Sequence, residues 1–427
     1  MMQSTRISDG SGQRRKVRAC VSLAFSVYWA AMQVLLVARG AAHLPHIARA
    51  LQTRDALAGL WTSTKIPDGI PPNKFRRAWM FHLAMKPFYT LASPRFPERI
   101  YHALLPLWLA WVRRQNPPPM DVVHAIMGYG AEPFALAEKV GALKVVDASS
   151  SHPTSFFGFW QRECDVFCPD TTVGIPRSMF ARANRDLERA DLIACPSRFV
   201  MESMVYNGIP ESKCILNPYG VDTSVFTPRT TLPPTPRFIC VGAIGLRKGH
   251  QYLFRAFEKV RRALPEAELI CAGDYHSDFK MEKARWKETF THHPFLAPRE
   301  LSTELQKCSA FVLASNEEGF ARAIIEAMGS GLPIIATHES GATTLVEHSV
   351  QGLIVGSRNV EQLAAAMLRL ANERGLNERM GKAAYARGAQ NNSWNDYTQR
   401  LLEFYGEAIT RARPLKAPTA SRMTSPA

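Results

Sequence analysis

Two glutamates separated by seven residues, Glu318 and Glu326, bracket Gly319, Phe320 and Ala321 at the entry to an amphipathic helix in ASNEEGFARAIIEAMGSGLPIIAT, residues 314–337. The apolar positions Ile324, Ile325, Met328 and Leu332 suit burial against a strand, but neither acid helps that packing. The first turn of a helix has unpaired N–H groups and a partial positive charge, which suits a phosphate. Gly319 lets the backbone approach a ligand closely. Glu318, at the end of a strand, would aim a carboxylate into a cleft, and Glu326 could accept hydrogen bonds from sugar hydroxyls. A plainer account is that Glu326 is a solvated helix residue and Glu318 a charge favourable to the helix dipole.

A second cluster adds to the first. VGAIGLRKG (241–249) sets a glycine turn at Gly242, then Arg247 and Lys248, ahead of another helix. Two cations at a strand-to-helix turn would neutralise a diphosphate and steady it as a leaving group. A nucleoside diphosphate sugar has hydroxyls for both acids and phosphates for the cations and the helix start.

Short apolar runs alternating with helical patterns must position these residues. Strands are expected at 33–38, 121–126, 143–148, 191–197 and 214–218, and again at 237–243, 268–274, 310–315, 332–337 and 352–357. Such alternation predicts α/β architecture with two Rossmann-like, doubly wound parallel sheets facing across a cleft. The proline-rich interval 227–236 divides the series. The expected domains are an acceptor-side domain over 32–217, a linker over 218–236 and a donor-binding domain over 237–393, followed by a helix over 394–411. Ligands of such sheets bind outside the carboxyl ends of the strands, where both clusters fall.

A formal charge of +15 is concentrated in the front half, where residues 1–200 carry 25 Lys and Arg against 14 Asp and Glu. That fits a phosphorylated substrate, an anionic membrane surface or nucleic acid. No helix-turn-helix, zinc finger or aromatic stacking motif supports nucleic acid. Residues 65–114, rich in Trp, Phe, Leu and Arg, read either as an insertion covering its own small core or as a lipid-facing surface. Eight scattered cysteines, with Cys164 and Cys168 the sole close pair, predict neither disulfides nor a metal site, hence a reducing cytoplasmic setting. If Met32 to Ala38 is a strand, the apolar run before it is too short to cross ~30 Å at 1.5 Å per residue. Residues 1–31 are therefore expected to be a peripheral extension, disordered or not native, and 412–427 a disordered tail.

In this order the pieces resemble the retaining, nucleotide-sugar-dependent glycosyltransferases of family 4, which have the GT-B fold. The likeness rests on the 314–337 stretch, VGAIGLRKG, ACPSRFVMESMVYNGIPESKCILNPYGVD, PPPMDVVHAIMGYG and SWNDYTQRLLEFYGEAI. It implies that Glu318 contacts the donor sugar, Glu326 the ribose and Lys248 the diphosphate, with the amides of Gly319, Phe320 and Ala321 helping. It also implies retained anomeric configuration, no need of a divalent metal or other cofactor, and a last helix that crosses back to the first domain. Departures are Ala243 where relatives often have Arg, which shifts weight to Arg247 and Lys248; Thr344 in place of a Glu; and a lone Gly40 where a glycine pair is usual. His152, after the strand 143–148, is either a cleft-lining sugar-binding or catalytic residue or a loop histidine bonded to backbone.

The expected activity is transfer of a sugar from a nucleoside diphosphate to a glycan, lipid-linked or small-molecule acceptor. The competing readings are an epimerase of the same fold and a non-catalytic nucleotide-sugar binder, the latter motivated by Ala243 and Thr344.

Overall fold

Short runs that are apolar on both faces form two all-parallel sheets, each wrapped by helices. The computed structural model describes residues 32–40, 43–81, 83–84, 96–169, 177–279, 285–286 and 288–412. The expected extension over 1–31, all but the first residue of the 412–427 tail and part of the 65–114 stretch lie outside them.

The first sheet has strands β1 (Val34–Val37), β2 (Leu57–Thr62), β3 (Phe75–Arg77), β4 (Val122–Ile126), β5 (Leu143–Asp147), β6 (Leu192–Cys195) and β7 (Cys214–Leu216). Its spatial order is β3-β2-β1-β4-β5-β6-β7. Helices α1 (Leu44–Gln52), α2 (Phe96–Arg113), α3 (Ala131–Val140), α4 (Pro153–Phe167), α5 (Arg177–Arg189) and α6 (Arg198–Tyr206) connect or cover the strands. The second sheet holds β8 (Arg237–Val241), β9 (Glu268–Ala272), β10 (Thr291–His293), β11 (Ala310–Leu313), β12 (Ile334–Thr337) and β13 (Gly352–Val355) in the order β10-β9-β8-β11-β12-β13. Its helices are α7 (His250–Ala263), α8 (Pro298–Gln306), α9 (Arg322–Gly329), α10 (Val360–Asn372) and α11 (Arg374–Gly388), and α12 (Trp394–Ala412) follows.

In both sheets the strand order reverses beside the first strand, between β1 and β4 and between β8 and β11. Those crevices are where such sheets bind ligands. Central strands are covered on both faces: every residue of β1, β4, β11 and β12 is buried. Full burial of one such Val, Ile or Leu is worth ~1.5–3 kcal/mol.

The 65–114 stretch does not form a separate small core. Phe75–Arg77 is an edge strand of the main sheet, paired with Leu60–Thr62, not part of a separate insertion. Trp108 in α2 is fully buried with Leu105 and Val112 in the same core as Val37 and Val123. Among its described residues Trp79, Met80 and Leu83 are each more than half exposed. Among the described residues no helix is long and apolar enough to cross a membrane.

Helix α12 packs on α1, burying Tyr397, Leu401 and Tyr405. The chain between the sheets passes so close that a Cβ on Gly220 would stand 2.5 Å from the Trp394 nitrogen. Arg400 donates to Asn217 Oδ1 at 2.7 Å and to the Pro218 carbonyl at 3.0 Å, pinning the linker to the last helix.

Candidate functional site

The turn after β8 is shaped by backbone that only glycine adopts freely. Gly242 has φ 130°, and a Cβ there would lie 3.3 Å from the Lys248 ammonium. Gly249, at φ 71°, carries the turn against β11, where a Cβ would meet the Ala314 carbonyl at 1.9 Å. Asn316 fastens the same turn: its amide donates to the Arg247 carbonyl at 2.9 Å and its Nδ2 to the Leu246 carbonyl at 3.1 Å. Arg247 and Lys248 are thereby delivered onto the acids that follow β11.

Lys248 Nζ is 2.5 Å from Glu318 Oε2, and Arg247 Nη1 lies 3.4 Å from the same oxygen. Arg247 also donates to the fully buried Glu317, at 3.1 Å to Oε2. Burial alone would raise the Glu318 carboxyl, but the Arg247 and Lys248 cations outweigh it and hold it below its ordinary value. Glu318 is accordingly an ionised acceptor, suited to hydroxyl donors. Among the described residues no hydrogen bond uses the amides of Gly319, Phe320 or Ala321, just ahead of α9. Nor does any described residue pair with the Glu326 carboxylate, whose pKa is raised by burial.

The first domain closes on this loop. A Cβ on Gly319 would stand 2.0 Å from the Ser149 carbonyl, so that position admits glycine alone. Ser197 Oγ, the N-cap of α6, donates to the Gly319 carbonyl at 2.7 Å. Ser151 gives both its amide and its hydroxyl to Glu317 Oε1, each at 3.0 Å. Thr344 Oγ1 accepts from the Arg198 amide at 3.0 Å, so this residue serves the domain contact. On the other flank, the buried Glu163 of α4 accepts from Gln251 at 2.7 Å, Tyr252 at 3.0 Å and Arg358 at 2.5 Å. Arg358 reaches it from φ 62°, a region that favours glycine. Burial and the neighbouring Glu163 push the Tyr252 hydroxyl up to about 12, so it stays a donor.

Beneath the 147–152 loop lies a buried network that the sequence did not announce. Asp147 Oδ2 is shared by His43 Nε2 at 2.7 Å and His124 Nε2 at 3.2 Å, while Oδ1 accepts from the Tyr219 hydroxyl at 2.8 Å. His124 Nδ1 meets the Tyr405 hydroxyl of α12 at 2.6 Å. The His43 ring stacks on Tyr219 at 4.5 Å, and Tyr219 abuts Phe320 edge-on at 6.3 Å. Burial would raise the Asp147 carboxyl; the His43 and His124 imidazoles reverse that and hold it far below the usual range.

Of the residues picked from sequence, Glu318, Lys248, Arg247, Gly242, Gly319, Phe320 and Ala321 gather at one place, with Glu326 in the helix they lead into. Gly40 lies apart: it is exposed beside Thr64, and no second-domain atom comes within 4 Å of where its Cβ would be. Ala243 is exposed at the turn. His152 is buried as the N-cap of α4, its Nδ1 accepting from the Thr154 amide at 3.3 Å. That is the backbone-bonded alternative, in a loop that touches the second domain. Sequence reasoning passed over Glu317, Glu163 and Asp147. For Glu317 the signal was present, an acid directly before Glu318; for the other two no local pattern marks them. Among the described residues no group of three or more His, Cys, Asp or Glu could hold a metal ion.

Residues 228–387 match the family described as glycosyl transferases, group 1. A D-inositol 3-phosphate glycosyltransferase of Pseudarthrobacter chlorophenolicus is 28% identical over 239 residues, covering 52% of this chain and 57% of its own. A sulfoquinovosyl transferase of Arabidopsis thaliana is 26% identical over 348 residues, 75% of this chain and 64% of its own. The chain thus spans less than two thirds of these relatives' lengths. Among solved structures, sucrose-phosphate synthase of Thermosynechococcus elongatus superposes with a TM-score of 0.69 at 16% identity, covering 89% of this chain and all of that one. Anabaena HepE in complex with UDP and glucose superposes at 0.62 and 16% identity, covering 88% of this chain. Both share the two-sheet fold.

Proposed function

We propose, from the match of residues 228–387 to the group 1 glycosyl transferases and the GT-B-like fold, that the chain moves a sugar from a nucleoside diphosphate to an acceptor held against the first domain. One observation carries the reading: Lys248 and Arg247 converge on Glu318 beside the unused amides of Gly319 to Ala321, and the helix that follows carries Glu326 with no hydrogen-bond or ion-pair partner among the described residues. The cations and amides take the diphosphate, and the negative charge that grows on it as the glycosidic bond breaks is what they stabilise. Glu326 accepts from the ribose hydroxyls and Glu318 from those of the sugar. Since Lys248 and Glu318 are paired to each other, the diphosphate competes for the ammonium and frees the carboxylate for the sugar.

Retention of anomeric configuration belongs to this proposal, as does independence from divalent metal, the diphosphate charge being met by side chains and amides. His152 is proposed as an acceptor-side residue through its place in the loop facing Gly319. The exposed Trp79, Met80 and Leu83 near Arg76 and Arg77 support a peripheral position on an anionic membrane surface, read by co-sedimentation with phosphatidylglycerol vesicles. HepE, solved with UDP and glucose, makes UDP-glucose the first donor to try.

The test is release of the nucleoside diphosphate from UDP-glucose and other nucleotide sugars, with EDTA present, by the wild-type chain, Lys248→Ala and Glu326→Ala. Turnover that survives in both variants sinks the reading. Ala243, which removes a cation from the turn, favours a second one, a non-catalytic sugar-nucleotide binder. It predicts donor binding with no release of the nucleoside diphosphate by any preparation.

A further inference from the structure

Helices α4 and α6 leave a groove of about 620 Å³ at the mouth of the cleft, rimmed on the second-domain side by His338. Its floor is aromatic: the half-buried Phe159 lies 5.8 Å from the buried Phe199, which meets the His338 ring edge-on at 5.8 Å. Tyr206 stands at the end of α6 with 88% of its surface exposed. Asn207 spends its amide donors on Ser155 at 2.8 Å and the Ser203 carbonyl at 2.7 Å, which leaves its Oδ1 as an acceptor.

Gly158 is the telling residue. It sits in the interior of α4, where glycine costs ~1 kcal/mol relative to alanine. Packing gives no reason for it, since no atom lies within 4 Å of where its Cβ would be. Its helical φ gives none either. What the missing side chain does is keep the groove open between Phe159 and α6.

We propose that this groove holds the hydroxyl-rich chain of a carbohydrate acceptor, beyond the unit that receives the sugar. A sugar ring presents an apolar face to an aromatic ring and a rim of hydroxyls to amides and carboxylates, and this lining supplies both. Charge argues for a neutral occupant: the lining carries one arginine, Arg162, and one glutamate, Glu202, the latter paired with His338 at 2.8 Å. The groove begins close to the site along the chain: the N-cap of α6, Ser197, binds the Gly319 carbonyl two residues before Phe199 begins the lining. The inference rests on the transferase reading above.

Saturation-transfer NMR on the full chain with UDP or GDP present, using maltotriose, cellotriose and chitotriose as probes, tests it. Wild type should transfer saturation to at least one trisaccharide. Gly158→Leu, which fills the groove, and Tyr206→Ala, a surface change, should each cut that signal at least fivefold. Both should keep nucleotide affinity within twofold, and Gly158→Leu should melt no lower than wild type. No transfer to any trisaccharide, or a signal that survives Gly158→Leu and Tyr206→Ala, overturns the groove while leaving the donor reading intact. Failure of UDP and GDP to bind the wild type would instead strike the donor reading.

Discussion

The two walls of the cleft treat their acids in opposite ways. On the first-domain wall Asp147 has both oxygens taken, by two imidazoles and a phenol drawn from α1, β4 and the linker. On the second-domain wall Glu326 has no partner among the described residues, and Glu318 is held by cations that an anionic ligand can claim. A satisfied buried acid makes a frame; a half-buried one without a protein partner is left to water until a ligand takes its place. Asp147 ties the linker and, through His124 and Tyr405, the last helix to β5, while Glu318 and Glu326 wait on chemistry.

That contrast can be broken by substitution, most severely at Lys248. Lys248→Ala should lower kcat/KM for the donor by ~10²–10³, the loss of one charge-stabilising donor at the reacting centre, with little change in melting temperature. A comparable loss of melting temperature would move Lys248 into the frame. Asp147→Asn should do the reverse. Breaking one partner of a buried charged cluster costs ~3–5 kcal/mol, so thermal unfolding should shift down while donor affinity of the folded fraction changes less than twofold.

Glu326→Gln sharpens the comparison from the other side. Burial raises the Glu326 carboxyl, so a neutral amide should leave stability unchanged or improved, while donor KM rises ~10-fold, the ~1.4 kcal/mol of one lost hydrogen bond to a charged group. Lower stability with unchanged KM would make Glu326 a packing residue.

The smallest effects are in pH. Asp147 is held below its unfolded value of 3.8, so its contribution to stability is present above that pH and fades as pH falls below it. Burial pushes Asp186, which accepts from the Gly130 amide at 2.7 Å, up to about 6. An acid that binds its proton more tightly when folded adds stability at low pH and withdraws it between about pH 4 and 6. Urea midpoints followed across pH 3–7 should show the acid limb flattened in Asp147→Asn and the pH 4–6 slope reduced in Asp186→Asn. Identical profiles in all three proteins would contradict both assignments.

The second-domain wall was legible in sequence because its parts are local. Gly242, Lys248, Gly319 and Glu326 each follow a buried apolar run, and the run predicts where the strand ends. The first-domain wall was not, because Asp147 meets residues from positions 43, 124 and 219, and no periodicity joins them. Strand β10 escaped notice for a different reason: it is three residues long, and Thr291 and His292 are exposed. Strand β3 hid inside a stretch whose aromatics and arginines suggested a surface helix. Thr344 stood out in sequence only as a departure from the family pattern; its hydroxyl joins the two domains through the Arg198 amide.

The central claim is that Lys248, the open amides beside it and Glu326 grip a nucleoside diphosphate. Calorimetric titration of UDP, and of GDP in parallel, into wild type, Lys248→Ala and Glu326→Gln tests it most directly. The account predicts saturable binding of one nucleotide by wild type and affinity at least tenfold weaker in each variant. Equal affinity in all three proteins, or no binding of either nucleotide to the wild type, would contradict it.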